Sequence, residues 1–254
     1  YSGNYIIYPH DTLFKFIQRV SKAQVLQEAF TIVEGWTWKK LSQELNKDKR
    51  LVHSSEKTIM QYFTQIDSST KLFTTLEGVF LPDTYHFAAG VRDIDVLAHA
   101  LTAKHRYLQE TWKNRKEGLL INTEHQALVV ASLIESESRY PPEFKKISSV
   151  IHNRLQKKMP LQIDAAVLYG RSNKSKGPLT VKDLRKDTKF NTYTRKGLPP
   201  APIAYPSKKA ILAALNPSDD DDLFYVVMPN GRHYFSKTYK EHKSAIKRYL
   251  KGRV

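Results

Sequence analysis

The chain contains no cysteine, which excludes a disulfide framework, a thiolate zinc site and thiol catalysis, and fits an oxidising or a reducing compartment equally well. Long hydrophobic runs are also missing. The longest nearly unbroken one, Ala127 to Ile134, falls far short of the roughly 20 residues that a bilayer span requires. The chain starts at Tyr1 rather than methionine and lacks a signal-type apolar stretch, so it is expected to be a processed form or a piece of a longer protein with an anchor upstream. Acidic residues are scarce beside basic ones, 25 against 41, and the net charge of +16 draws the surface towards nucleic acid, anionic lipid or a carboxylate-rich polymer. A Gly-x-Ser-x-Gly elbow, a phosphate-cradling glycine loop and a His-Glu-x-x-His pair are all absent, and the nine histidines are scattered, so nucleophile and metal chemistries lack an anchor. Carboxylates remain.

What is present is enough apolar material to fold: 41% hydrophobic residues over 254 positions, with 11% aromatic. Up to about residue 71, short β-rich pieces (Tyr5 to Tyr8, Phe30 to Val33) alternate with amphipathic stretches such as Trp38 to Leu45, a helix that Thr37 can cap. The apolar segment Leu76 to Phe87, punctuated by Gly78 and Pro82, predicts a buried junction, and a long helix follows over about 93–116. Thr123 can cap a helix reaching about Ser138, stopped by Tyr140-Pro141-Pro142. A second helix over about 143–158 carries Phe144, Ile147, Val150, Ile151 and Leu155 on one stripe. A helix near Ser207 to Leu215, a hairpin of Leu223 to Met228 with His233 to Phe235 around Asn230-Gly231, and a capping box opening the last helix at Thr238 complete the pattern. The acidic run Asp219 to Asp222 reads as a solvated loop.

Glu135 follows an apolar helical run directly, on one row with Leu128 and Ser132. Burial there and the nearby carbonyl end of the helix both favour the protonated acid that general acid catalysis needs. A helix-end ion pair with Arg139 is the plain alternative. Glu137 lies two residues on, about 200° around the helix, so the two glutamates cannot act together on one bond. Asp164 is the candidate for a second carboxylate, either in substrate binding or as cap of a helix over 165–169.

The blocks Ala131-Ser132-Leu133-Ile134-Glu135-Ser136-Glu137, Ile151-His152-Asn153-Arg154-Leu155 and Met159-Pro160-Leu161-Gln162-Ile163-Asp164 resemble the YceG-like endolytic murein transglycosylases. Leu168 to Gly170, Phe190 to Tyr193, Gly197 to Ile203 and His233 to Phe235 continue the resemblance in order, and Leu76 to Phe87 precedes it. The resemblance implies an α+β fold: a small LysM-like α+β module over 1–75, then a mixed helical catalytic domain over 76–254 with a short β-hairpin. It implies a lyase held in the bacterial cytoplasmic membrane by an upstream helix, working on the extracytoplasmic side without metal or cofactor. Its substrate would be nascent peptidoglycan, cut at the MurNAc-GlcNAc β-1,4 bond to leave 1,6-anhydro-MurNAc ends. Glu135 falls on the catalytic position, acting as acid and then as base, because the C6 hydroxyl of the substrate supplies the nucleophile. Gln162, Asp164, Asn191, Tyr193, Glu77 and Phe235 fall among substrate-binding positions, and Asn153 and Arg154 among supports of the second helix. Peptidoglycan synthases and an anionic membrane surface are the implied partners. The chain departs from the family pattern at Ala165-Ala166, where Pro-Thr is common, and at Ala201, where Gly is common.

Two other classes fit part of the pattern: a noncatalytic peptidoglycan-binding protein with a structural Glu135, and a basic nucleic-acid binder using Lys240, Lys243, Lys247, Arg248 and Lys251. The second lacks a recognisable nucleic-acid motif, and no specific nucleic acid is expected as a partner.

Overall fold

In the computed structural model, which describes residues 5–22, 25–66, 75–171 and 177–250, helices dominate and the strands form two small antiparallel pairs. Strand β1 (Gln27–Thr31) pairs with β2 (Thr84–Ala88), Phe30 facing Tyr85. The two-residue alternation turns Phe30 and Phe87 inward. Helix α1 (Leu13–Ser21) buries no side chain, whereas α2 (Trp38–Leu45) buries Trp38, Leu41 and Leu45 and α3 (Glu56–Ile66) buries Ile59 and Phe63. The Thr37 hydroxyl accepts from the Lys40 amide, as its place before α2 predicts.

The first core joins α2 and α3 to Phe80, to Leu97 and Leu101 of α4 (Asp93–Lys113), and to Tyr205. The second surrounds α5 (Glu124–Glu137), whose residues 127–134 are all buried. A helix apolar on every side must be enclosed by other elements. Here α6 (Phe144–Gln156), α7 (Asp164–Tyr169) and α9 (Lys208–Leu215) contribute to the enclosing core, with Leu108 of α4 beside them. Between α7 and α9 in the chain comes α8 (Val181–Arg185), which buries no residue and is started by a Thr180–Asp183 capping box. The hairpin of β3 (Phe224–Val227) and β4 (His233–Ser236) carries α10 (Tyr239–Tyr249), which opens with the expected Thr238–Glu241 capping box.

Three local expectations need correction. Residues 5–8 form no strand, because Asp11 captures the Tyr8 amide at 2.8 Å and returns its own amide to the Tyr8 carbonyl, making a turn into α1. The strand expected over Phe30 to Val33 starts earlier, at Gln27, and ends at Thr31. In the hairpin turn only Gly231 has a positive φ, at 78°. Asn230 does not, and the loop closes instead through the Met228 amide on the Arg232 carbonyl at 2.7 Å. Lys251 lies outside the described residues.

The strand pairing and the first core both run across the expected division at residues 75 and 76. Gly78 shows how close the packing is: at φ 71° its Cα faces Pro202 so nearly that an added Cβ would sit 2.6 Å from the proline Cβ. The Leu76 to Phe87 segment is thus pressed onto the loop before α9, the buried junction that its glycine and proline predict.

Candidate functional site

Two clefts open on opposite sides of the C-terminal end of α5, and Arg139 lines both. The first, ≈ 600 Å³, contains Glu135 with Thr31, Ile32 and Glu34 on one wall and Ser207, Lys208 and Lys209 on another. The second, ≈ 840 Å³, contains Glu137 with Arg154, Gln162, Asp164, Tyr193 and Tyr225. Two residues along a helix turn it by about 200°, which is why adjacent acids of one motif face different spaces.

Glu135 is held at the start of α9. Its Oε2 accepts from the Ser207 hydroxyl at 2.5 Å and from the Ser207 amide at 2.9 Å, while the same hydroxyl accepts from the Ala210 amide as the helix cap. Burial pushes the Glu135 carboxyl above its usual range, the two Ser207 hydrogen bonds oppose this, and the charge of Glu34 adds to it. The alternative reading, an ion pair with Arg139, does not form among the described residues; Ser207 takes the carboxylate instead.

Among the described residues the Glu137 carboxyl accepts one hydrogen bond, from the Tyr225 hydroxyl to Oε2 at 2.9 Å. Burial pushes its carboxyl up to about 7; the Tyr225 bond and the Arg154 charge lower it, and the Asp164 charge raises it. Arg154 is itself fixed by backbone carbonyls, donating to Leu223 at 2.6 Å and Leu161 at 2.9 Å, with Gln162 Oε1 at 3.3 Å. Asn153 beside it donates to the carbonyls of Asp220 and Asp222, so both residues tie α6 to its surroundings as supports. Gln162 has φ 52°, a backbone conformation that non-glycine residues adopt at a cost and that clusters at functional sites. The Gln162 amide on the Thr192 carbonyl and the Ile163 amide on the Thr192 hydroxyl hold it there.

The structure therefore divides the expected site residues. Gln162, Asp164 and Tyr193 share the Glu137 cleft, and the Tyr193 hydroxyl donates to Asp164 Oδ1 at 2.5 Å. Asp164 caps nothing: it is the first residue of α7, after Ile163 at the cap position. Asn191 is 1% exposed and fully engaged, its Nδ2 donating to the carbonyls of Asp183, Leu184 and Lys186 and its Oδ1 accepting from the Tyr193 and Thr194 amides. It folds the loop that presents Tyr193 and has no polar atom left for a sugar. Glu77, 3% exposed, accepts from the Trp38 amide at 2.8 Å and the Tyr169 hydroxyl at 3.2 Å, joining α2 to α7 away from both clefts. Burial pushes its carboxyl up to about 7. Phe235 packs behind Tyr225, ring centroids 6.0 Å apart, with the Lys146 ammonium over its outer face at 5.6 Å.

Sequence reasoning gives Glu137, the last of the block quoted above, no role of its own, and the structure places it in the cleft with Gln162, Asp164 and Tyr193. The missing signal was Tyr225, which is far away in sequence and looks in its strand like any aromatic core residue. Among the described residues no group of three or more His, Asp or Glu is arranged to hold a metal ion, and no helix is long and apolar enough to cross a membrane.

The chain belongs to the YceG-like family, whose model matches residues 1–248. It is 34% identical over 233 residues to an endolytic murein transglycosylase of Bacillus subtilis, covering 91% of this chain and 64% of that protein. A relative of the same name from Streptococcus pneumoniae is 28% identical over 184 residues, which make up 70% of this chain and 33% of the relative. The chain thus spans under two thirds of the length of these relatives. The 2.6 Å crystal structure of a yceG-like protein from Listeria monocytogenes superposes with a TM-score of 0.69 at 25% identity, covering 91% of this chain and 80% of that one.

Proposed function

We propose that this chain is a peptidoglycan lytic transglycosylase that cuts glycan strands internally at the MurNAc-GlcNAc β-1,4 bond, with Glu137 rather than Glu135 as the acid and base. One observation carries this reading: Glu137, with its carboxyl raised to about 7, lies in the same cleft as Gln162, Asp164 and Tyr193. A carboxyl with that value is protonated in a large fraction of molecules near neutral pH and still acts as a base once it has given its proton away. Tyr225 donates to Oε2 and leaves Oε1 free to face the glycosidic oxygen.

In the first step Glu137 protonates the leaving oxygen as the C1–O bond breaks. In the second its carboxylate takes the proton of the muramoyl C6 hydroxyl as that oxygen closes on C1, giving a 1,6-anhydro end. The nucleophile belongs to the substrate, so no carboxylate is needed to activate water, unlike ordinary inverting hydrolysis. Tyr193, Tyr225 and Tyr239 offer ring faces to the sugars, and Gln162 and Asp164 offer hydrogen bonds to hydroxyl and N-acetyl groups. An upstream anchor in the cytoplasmic membrane, extracytoplasmic action on nascent strands, a LysM-like start of the chain and synthase partners extend the same reading through the family resemblance.

Digestion of purified glycan strands in heavy-oxygen water tests the chemistry. Anhydro ends without label are expected, and label at the new muramic terminus would show a hydrolase instead. The assignment of the acid is tested by comparing Glu137→Gln with Glu135→Gln, and full activity in a folded Glu137→Gln variant would refute it.

A further inference from the structure

We propose that the Glu135 cleft is a binding site for a short peptide carrying free carboxylates and a free amine, namely the stem peptide that branches from the muramoyl residue of the substrate. The proposal rests on the glycan-strand reading above and adds a second, non-sugar subsite to it.

Three charged residues in this cleft, Glu34, Arg139 and Lys209, are exposed and have no ion pair or side-chain hydrogen bond among the described residues. Their neighbours are already matched: Lys208 reaches Asp83 at 2.7 Å and Glu135 is held by Ser207. Charges of both signs, left to solvent in one concavity, suit a ligand that also carries both. A simple polyanion would meet Glu34 and Glu135 there, and a neutral sugar would leave all three charges without a partner. An uncrosslinked stem peptide has the required chemistry, with carboxylates for Arg139 and Lys209 and the amine of its diamino residue for Glu34. The ≈ 600 Å³ space is that of a small-ligand site.

Position supports the same ligand. The cleft adjoins the one that holds Glu137, and Arg139 lines both. A branch leaving the glycan over Glu137 would reach this cleft past Arg139. The far wall, Thr31 to Glu34, comes from β1 and the loop after it, so recognition of the peptide would engage the N-terminal part of the chain while the sugar is handled by the second core.

The test uses synthetic lactyl-pentapeptides with lysine or diaminopimelate at the third position, titrated calorimetrically into the folded chain, and strands with and without stem peptides as substrates. Binding at low salt is expected, weakened about tenfold or more in the Glu34→Gln/Lys209→Gln double variant and weakened by added salt as the charges are screened. On peptide-bearing strands the double variant should lose about tenfold in kcat/KM, and on strands stripped by an amidase it should match the parent. Peptides that do not bind, or that bind both forms equally, would overturn the proposal. If neither strand is cut yet the peptides bind with the stated sensitivity, the enzymatic reading falls and the peptide site stands.

Discussion

Glu135 and Glu137 are separated by one residue, end the same helix and are both pushed upward by burial, yet their surroundings differ in kind. Glu135 is coordinated by an amide and a hydroxyl at the start of α9, a place where partial positive charge and two donors favour the anion. Glu137 has a single phenolic donor, with the Arg154 charge favouring its anion and the Asp164 charge opposing it as Glu34 does for Glu135. The first environment suits a group that fixes a helix, the second a group that exchanges a proton. Burial alone does not identify a general acid; what else touches the carboxyl decides.

The largest effect that can break this comparison is on turnover. Glu137→Gln is expected to lower kcat on glycan strands by about 10²–10⁴-fold, the range for removing a general acid or base, while Glu135→Gln stays within about tenfold of the parent. The reverse order, measured on variants with parental circular dichroism, would exchange the two roles. Next in size is the contrast between Asn191 and its neighbours. Asn191→Ala empties a buried position, removes five hydrogen bonds to the surrounding loop backbone and should cost about 2–4 kcal/mol in denaturant unfolding. Tyr193→Phe and Asp164→Asn should leave stability within about 1 kcal/mol and lower kcat/KM. Equal losses of stability in all three would place Tyr193 and Asp164 in the scaffold too.

The fold was legible wherever local chemistry decides it. Thr37, Thr123 and Thr238 each cap the helix that their position predicts, and the apolar run 127–134 becomes the enclosed helix. Residues 5–8 depart from the expected strand because β-propensity is weak beside a competing Asp11 turn. The candidate site was legible only as a set of parts. Gln162, Asp164 and Tyr193 are near one another in space, but only tertiary packing shows that Tyr225 brings Glu137 among them, or that Asn191 spends its amide on three carbonyls. Helical geometry correctly separated the two glutamates and held no information on which cleft each one faces.

A smaller effect follows from pH. Glu77 is raised from 4.5 to about 7, so between those values the folded state keeps a proton that the unfolded state releases. Stability from this group is therefore full below about pH 4.5, falls as pH rises and is lost above about 7, an effect on the order of 1–3 kcal/mol. Glu137 contributes with the same sign. Urea unfolding between pH 5 and 8 should show a decline that Glu77→Gln reduces and that Glu77→Gln/Glu137→Gln reduces further. An unchanged slope in the double variant would mean that neither carboxyl is raised as described.

The smallest expected effect probes the Glu135 side alone. Ser207→Ala removes the cap of α9 and the hydroxyl held by Glu135 in one change. A lost cap costs about 1 kcal/mol, and the Ser207 amide remains to hold the carboxylate. The variant should therefore melt slightly lower and cut strands at nearly the parental rate, because Glu137 and its Tyr225 bond lie in the other cleft. A fall in kcat of a hundredfold or more, with stability down by only about 1 kcal/mol, would mean that the proton moves through Ser207 and Glu135, and the division of labour between the two clefts would have to be reversed.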